Sequence, residues 1–159
     1  MKYEVTIGIP VYKSALYIRR ALMSALNQTY PSIEFLIVDD CGKDGSVAII
    51  REIADVHPRG KDIRIISNAQ NMGVAASRNV IIEEAQGVFL YFMDSDDTIA
   101  DNTIELLMGG IRQGDAEIPN KQQNNEKTFI HMGSDFGNYR GQCSKLSLRC
   151  KQRWRCKRR

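Results

Sequence analysis

The sequence predicts an α/β fold in which a mostly parallel sheet carries helices on both faces. Four short apolar segments rich in β-branched or aromatic residues alternate with segments whose apolar residues recur at helical spacing. Turn-forming residues follow each apolar segment, and strand and helix alternation of this kind is typical of right-handed crossovers between parallel strands. The 159 residues are 43% apolar and 26% charged, which is the composition of one globular domain.

The first half of the chain contains two predicted strand and helix pairs. Tyr3 to Val11 alternates β-branched residues with others and predicts the first strand. Ser14 is placed to cap the next helix, which carries apolar residues at helical spacing over 15–26. The continuous apolar run 35–38 predicts the second strand, and helical spacing resumes over 47–54 after a glycine-containing turn.

Two further pairs follow. Ile63 to Ser67 predicts the third strand, and 74–85 predicts a helix that Gly87 ends. Val88 to Met93 predicts a fully buried fourth strand, after which Asp101 is placed to cap a helix. The apolar residues of that helix are Ile104, Leu107 and Met108.

The charge of the chain divides it near Pro119. Residues 1–118 carry 11 basic and 17 acidic residues, whereas residues 119–159 carry 11 basic and 2 acidic residues. The second segment has only 11 apolar residues out of 41, too few to offset the conformational entropy lost on folding. We therefore expect the fold to lie in residues 1–118, followed by a basic, irregular tail over 119–159.

Several classes of protein are excluded by short patterns. The longest unbroken apolar run has six residues, 88–93, whereas a membrane-spanning helix needs about 20. The N-terminus lacks the continuous apolar stretch of a secretory signal. The four cysteines form no Cys-x-x-Cys pair, so no zinc ribbon or redox motif is indicated. We expect a cytoplasmic protein, with the basic tail available for contact with the cytoplasmic face of a membrane.

Acidic residues follow two of the predicted strands, at the edge where open α/β sheets bind ligands. Asp39 and Asp40 end the second strand, and Asp94, Asp96 and Asp97 follow the fourth. Carboxylates that converge repel one another unless a cation or a hydrogen-bonding ligand intervenes. All-oxygen ligands suit Mg²⁺ or Mn²⁺, so we predict a divalent metal there. The alternative is that these residues only cap helices and form turns.

Four ordered motifs carry a resemblance to a known family. They are Ile9-Pro10-Val11-Tyr12, Leu36-Ile37-Val38-Asp39-Asp40 with Asp44 and Ser46 following, Asn71 to Asn79, and Phe92 to Asp97. In order and spacing they resemble the family 2 glycosyltransferases over about residues 3–108. The resemblance implies the GT-A fold, in which a Rossmann-like α/β half binds an activated sugar, usually a uridine diphosphate sugar. Residues 1–118 would then be a truncated nucleotide-sugar-binding domain of this fold. The resemblance also implies that the enzyme transfers the sugar with inversion.

The resemblance also implies a role for individual residues. Pro10, Tyr12 and Asp40 would line the uracil pocket, with Asp39 beside them. Arg78 would lie near the diphosphate, Asp94 would face the ribose and the sugar, and Asp96 would ligate Mn²⁺ or Mg²⁺. The implied partners are a nucleotide-sugar donor and a saccharide or lipid-linked acceptor, with no specific nucleic acid.

The general base that the reaction requires is not identified from the sequence. Past Pro119 the only acids are Glu126 and Asp135, and neither lies in a family-like context. Together with the change in composition, this suggests a truncated or frame-shifted reading of a longer gene, and a chain that binds donor but transfers sugar slowly or not at all. A basic arm over 145–159 for anionic membranes or nucleic acid is the other interpretation of the tail.

Two other functions fit parts of the pattern. A non-catalytic protein that binds nucleotide sugars would need the same residues. A phospho-signalling receiver domain also has paired aspartates at a strand end, but there they follow the first strand. Here Tyr3 to Val11 precedes them, so the receiver domain fits less well.

Overall fold

Parallel strands and helices alternate along the chain, as the sequence predicts. The computed structural model describes residues 2–113 and the backbone of residues 128–130. A short 3₁₀ helix, Gly60–Asp62, precedes the third strand. The elements are β1 (Val5–Val11), α1 (Ile18–Leu26), β2 (Ile33–Asp39), α2 (Ser46–Val56), β3 (Ile63–Ser67), α3 (Val74–Glu84), β4 (Phe89–Phe92), α4 (Thr103–Gln113) and β5 (Thr128–Ile130).

The sheet has the order β3-β2-β1-β4-β5, and each neighbouring pair is parallel. The pairing register aligns Val11 with Asp39 and Asp39 with Ser67. The backbone ladder continues one residue further, because the Asp40 N–H donates to the Val11 carbonyl and the Asn68 N–H to the Asp39 carbonyl. The loops after β1, β2 and β3 therefore begin side by side at one edge of the sheet.

Two hydrophobic layers cover the sheet. On one face, α1, α2 and α4 pack against alternate residues of β1 and β2, such as Ile7, Ile9 and Phe35. On the other face, Ile81 of α3 packs with Leu36 and neighbouring strand residues. The alternation within β2 follows from the period of two in a strand, which sends successive side chains to opposite faces. The predicted helices on both faces are confirmed.

The packing of α3 against the sheet depends on Gly8 in β1. A Cβ built at Gly8 would lie 2.3 Å from Cγ2 of Ile81, which is fully buried. Only a residue without a side chain lets the helix approach β1 this closely. Gly87 has a similar role, since its Cβ would lie 2.6 Å from the Thr6 nitrogen. The α3 helix has already ended at Glu84, so Gly87 serves close packing rather than the helix end that the sequence predicts.

Ser14 does not cap α1 through its side chain, contrary to the sequence prediction. The helix begins at Ile18, and Tyr17, at the N-cap position before it, makes no side-chain capping bond. The carbonyl of Ser14 accepts the N–H groups of Tyr17 and Ile18, which forms a turn before the helix. Its hydroxyl is 2.6 Å from that of Ser95. Ser14 thus links two loops of the sheet edge.

Two strand predictions need adjustment. The fourth strand is β4, and its end residues Phe89 and Phe92 are only half-buried, so it is not the fully buried strand expected from its apolar sequence. The tail expected to be irregular contains β5, which pairs with β4 in parallel through Phe89 and Thr128. A three-residue edge strand needs only backbone partners, so a segment poor in aliphatic residues can form one.

None of the helices within residues 2–113 combines the length and the apolar character needed to cross a bilayer.

We predict that Gly8→Ala destabilises the protein by about 1–3 kcal/mol, because the added methyl overpacks the contact with Ile81. Gly109→Ala in α4 is the matched control, since no atom lies within 4 Å of a Cβ built there. That control should gain about 0.5–1 kcal/mol from helix propensity. Urea unfolding measures both changes, and equal effects of the two substitutions would contradict the packing role of Gly8.

Candidate functional site

An open cavity of about 550 Å³ lies at the carboxyl ends of the strands. This is the edge where ligands bind in open α/β sheets. The end of β1, the loops after β1, β2, β3 and β4, and the start of α3 line it. The lining residues are Pro10, Val11, Tyr12, Asp40, Asn71, Gly73, Val74, Ser77, Arg78, Asp94, Ser95 and Asp96.

Asp40, which follows β2, is buried and holds the loop after β3. Its carboxylate accepts hydrogen bonds of 2.8 Å from the Asn68 side-chain amide and from the backbone N–H groups of Met72 and Gly73. Burial by itself would raise the pKa of Asp40, but these bonds and one with Ser77 outweigh it and lower the pKa. Asp40 therefore stays ionised at neutral pH and fixes one wall of the cavity.

Gly73 makes the turn into α3 possible. Its φ is +87°, a conformation that residues with a side chain rarely adopt. In this turn its N–H donates to Asp40 and also to the side-chain oxygen of Asn71. The turn brings Asn71, Gly73 and Val74 to the cavity wall and begins α3 beside it.

Asp44 and Ser46 join the loop after β2 to the loop after β1. Asp44 accepts hydrogen bonds from the Ser46 N–H and hydroxyl and from the Ala15 N–H, and Ser46 in turn accepts the Ser14 N–H. Burial alone would raise the pKa of Asp44, but the hydrogen bonds lower it. These bonds set the position of the loop that carries Tyr12.

Tyr12 is 44% exposed and forms the outer wall of the cavity. The ammonium of Lys13 lies 5.2 Å from the centre of its ring, within cation–π distance. Lys13 has a φ of +50°, and a Cβ at Gly42 would lie 2.8 Å from its backbone nitrogen. The close approach of Gly42 thus fits the two loops together behind the Tyr12 ring.

Arg78 of α3 and Asp94 after β4 form an ion pair inside the cavity. The Arg78 Nη2 is 2.8 Å from Oδ1 of Asp94, and their side chains are 38% and 44% exposed. The guanidinium carbon lies 5.9 Å from the centre of the Phe92 ring. The Nε of Arg78 is buried and has no hydrogen-bond partner among the described residues.

Residues of α1 and of the segments that flank it hold the acidic loop after β4 in place. Besides the Ser14 and Ser95 contact, Arg20 donates to the Asp96 carbonyl at 3.4 Å, and the Ser24 hydroxyl accepts the Ile99 N–H. The buried Gln28 donates to the Ala100 carbonyl and accepts the Ile104 N–H at the start of α4. These contacts leave the side chain of Asp96 exposed at the cavity mouth.

The predicted convergence of five carboxylates is wrong in part: among the described residues, Asp40, Asp94 and Asp96 line the cavity, whereas Asp39 and Asp97 do not. Asp40 is satisfied by N–H donors, Asp94 pairs with Arg78, and the buried Asp39 accepts the Gly42 N–H at 3.3 Å. Within residues 2–113 no three His, Cys, Asp or Glu side chains gather into a ready metal site. Repulsion among carboxylates therefore gives no argument for a metal.

The donor set nevertheless fits a hard cation that shares its ligands with a phosphate. Mg²⁺ is commonly held by one or two carboxylates and completed by substrate phosphates and water. Asp94 and Asp96 line the same cavity and supply such oxygens.

The structure brings together six of the seven site residues named from the sequence. Pro10, Tyr12, Asp40, Arg78, Asp94 and Asp96 all line the cavity. Asp39 does not, because its side chain turns into its own loop toward Gly42. The lining residues that sequence reasoning had not assigned to the site include Asn71, Ser77 and Ser95, although each lies within one of the four motifs. Glu126, Asp135 and the basic segment 145–159 lie outside the described residues.

The sequence model of the family described as "Glycosyl transferase family 2" matches residues 6–154. The chain belongs to this family. The match extends beyond the segment 3–108 in which the four motifs carry the resemblance. Membership decides against the receiver-domain alternative, and the parallel sheet with flanking helices is the GT-A fold of this family.

Two bacterial relatives illustrate the similarity. An uncharacterized glycosyltransferase of Haemophilus influenzae is 39% identical over 101 residues, which cover 64% of this chain and 39% of the relative. The minor teichoic acid biosynthesis protein GgaB of Bacillus subtilis is 30% identical over 118 residues, or 73% of this chain and 13% of the relative. This family 2 chain thus spans well under half the length of these curated relatives.

Two solved glycosyltransferase structures are similar in fold. TarS of S. aureus in complex with UDP-GlcNAc has a TM-score of 0.64 and 28% identity, and the match covers 69% of this chain and 31% of the TarS chain. The mannosyltransferase PcManGT of Pyrobaculum calidifontis, in complex with GDP-Man and Mn²⁺, has a TM-score of 0.60 and 26% identity over 65% of this chain and 31% of PcManGT.

We predict that Asp40→Asn lowers the free energy of unfolding by about 1–3 kcal/mol at pH 7, because the backbone N–H groups of Met72 and Gly73 lose a charged acceptor. The lowered pKa of Asp40 means that its stabilisation is present above the unfolded-state pKa and is lost as the pH falls through the folded-state value. The difference from wild type should therefore shrink toward pH 3 in urea unfolding.

The exposed Asp55 in α2 offers a control, since Asp55→Asn should change stability by no more than about 0.5 kcal/mol at either pH. An equal loss for Asp40→Asn at pH 3 and pH 7 would show that the charge of Asp40 does not hold the loop.

Proposed function

We propose that the chain binds a nucleotide-diphosphate sugar, and that with a divalent cation it transfers the sugar with inversion to a saccharide or lipid-linked acceptor. One observation carries the proposal: residues from all four family motifs line a single cavity at the carboxyl ends of the strands. That cavity places a cation, Arg78, beside the carboxylates of Asp94 and Asp96. The arrangement suits a ligand with an aromatic base at one end and phosphates at the other.

The nucleoside would lie between Pro10, Tyr12 and Asp40. The exposed Tyr12 ring offers a stacking surface for a base, and Asp40 offers carboxylate oxygens at the inner wall. Because Asp40 already accepts three N–H groups from the loop after β3, it also shapes the pocket that the base would enter. Asp39 would act behind this wall, through the Gly42 turn.

The diphosphate would lie nearer Arg78 and the start of α3. A guanidinium can bind phosphate oxygens through two parallel hydrogen bonds, and a helix N-terminus favours an anion. Asp94 would face the ribose and sugar, and Asp96 would hold the cation at the cavity mouth. A Mn²⁺ or Mg²⁺ ion would supply charge stabilisation for the diphosphate there.

The bound ligands of the structural neighbours support this assignment. The TarS structure contains UDP-GlcNAc, and the PcManGT structure contains GDP-Man and Mn²⁺. A uridine diphosphate sugar is the donor we propose, because the four motifs resemble those of family members that use one. The name of GgaB, a teichoic acid biosynthesis protein, supports polysaccharide synthesis as the process.

The chemistry follows from charge that develops at the leaving group. Displacement at the anomeric carbon passes through an oxocarbenium-like state while the nucleotide diphosphate gains negative charge. Arg78, which lies against the Phe92 ring and lines the cavity, would stabilise that charge. The acceptor hydroxyl needs a general base, which none of the seven site residues supplies.

We predict that UDP binding requires the cation, because without it the diphosphate meets Asp94 and Asp96 as like charges. Calorimetry in Mn²⁺ and in EDTA should show a loss of affinity of at least about tenfold on removal of the metal. Asp96→Asn should abolish most of the benefit of Mn²⁺. Equal affinity of the wild type in EDTA would remove the metal role of Asp96.

Asp40→Ala is the contrasting variant. It should weaken binding of uridine, which carries no phosphate, even in EDTA, because it removes the inner wall of the base pocket. Asp96→Asn should leave uridine binding unchanged. If both substitutions affect uridine alike, the division of the cavity into a base end and a phosphate end is wrong.

A further inference from the structure

The ion pair of Arg78 and Asp94 occupies the groups that a diphosphate ligand would need. Its two side chains are each more than a third exposed, so an incoming ligand can reach both charges. The 2.8 Å contact joins one guanidinium nitrogen to one carboxylate oxygen. In this arrangement each residue is the partner of the other rather than of a ligand.

The charge balance of the cavity makes this pairing consequential. Among the described residues that line it, Arg78 is the one basic side chain, whereas Asp40, Asp94 and Asp96 are acidic. Asp40 is held by N–H donors, so Asp94 and Asp96 are the charges that a diphosphate would meet. A diphosphate that enters without a cation therefore competes with Asp94 for the charge of Arg78.

The guanidinium of Arg78 is positioned for a change of partner. It lies against the Phe92 ring, and its buried Nε has no hydrogen-bond partner among residues 2–113. A guanidinium has five N–H donors, and the Asp94 contact uses one nitrogen. The hydrogen bond between Ser14 and Ser95 holds the backbone next to Asp94. Rotation of the Asp94 side chain alone would therefore separate it from Arg78.

We infer that Asp94 makes nucleotide binding dependent on the cation by an exchange of partners: the cation that Asp96 would hold also attracts the nearby Asp94 carboxylate, and the released Arg78 pairs with the diphosphate. This inference rests on the proposed function, in which the cavity takes a nucleotide diphosphate. Without the cation, Arg78 attracts a diphosphate only weakly, because the Asp94 carboxylate balances its charge. Asp94 is then a specificity-determining residue, because it favours a diphosphate that arrives with a cation over one that arrives without.

A double-mutant cycle in EDTA tests the exchange, with inorganic diphosphate as the probe and NMR titration as the measurement. Asp94→Asn should tighten diphosphate binding about tenfold, because it releases the guanidinium for charged hydrogen bonds. Arg78→Met should weaken binding in the wild-type background, because it leaves Asp94 unpaired, but it should weaken binding by a larger factor in the Asp94→Asn background, where the guanidinium is free. The two substitutions are therefore strongly non-additive.

Asp96→Asn is the matched control, since it removes the same charge from the same cavity and leaves the Arg78 pair intact. It should tighten diphosphate binding less than Asp94→Asn does. The exchange is overturned if Arg78→Met costs the same factor in both backgrounds, or if Asp96→Asn gives the full gain of Asp94→Asn. The pair is partly exposed, so its loss should leave folding intact, which circular dichroism checks.

Titration of the wild type with UDP and Mn²⁺ separates this inference from the proposed function. Binding of UDP with additive behaviour in the cycle would overturn the exchange and leave the proposed function standing. A non-additive cycle without binding of UDP in Mn²⁺ would support the exchange and show that the proposed donor is wrong.

Discussion

The hydrogen bonds to the buried carboxylate of Asp40 are the contacts on which the rest of the site depends. Asp40 follows β2, and its oxygens accept the Asn68 amide and the N–H groups of Met72 and Gly73. This contact fixes the turn that starts α3, and α3 in turn carries Arg78 into the cavity. A buried carboxylate without these donors would be costly, so the loop and the charge stabilise each other. At the other end of β2, the buried Glu34 accepts bonds from Thr6 and Gln86 and pairs with Arg64, away from the cavity.

A second set of contacts gives the acidic loop its position. Ser14, Ser24 and Gln28, from α1 and the segments that flank it, hold successive residues of the chain between Ser95 and Ile104. The helix is itself anchored by fully buried apolar residues against the central strands. The site is therefore assembled from loops that are individually irregular but are each attached to a packed element. This arrangement supplies preorganised charge where a diphosphate would lie, as electrostatic catalysis requires.

Local sequence patterns predict most of the fold, and the four family-like motifs contain six predicted residues that line the cavity. Strand and helix periodicity predicted the first four strands and the four helices, because burial on one or two faces is written into residue spacing. Partners distant in sequence were not predictable: Ser14 reaches Ser95 rather than its own helix, and the N–H donors that satisfy Asp40 come from a loop about 30 residues away. The sequence shows the charge of Asp40 but not the donors that bind it, so the sequence alone overestimates the repulsion among the carboxylates at this edge. The edge strand Thr128–Ile130 gave no signal either, because backbone pairing does not depend on aliphatic side chains.

The location of the cation in the presence of nucleotide tests the central claim most directly. Mn²⁺ is paramagnetic, so it broadens the NMR signals of nearby amides in isotope-labelled protein. With UDP present, substoichiometric Mn²⁺ should first broaden the amides of residues 94–97, then those of 73–78 across the cavity. The amides near Glu34 and Asp62, at the opposite edge of the sheet, should stay sharp. Broadening that begins at that opposite edge, or that is the same with and without UDP, would contradict a nucleotide and cation site in this cavity.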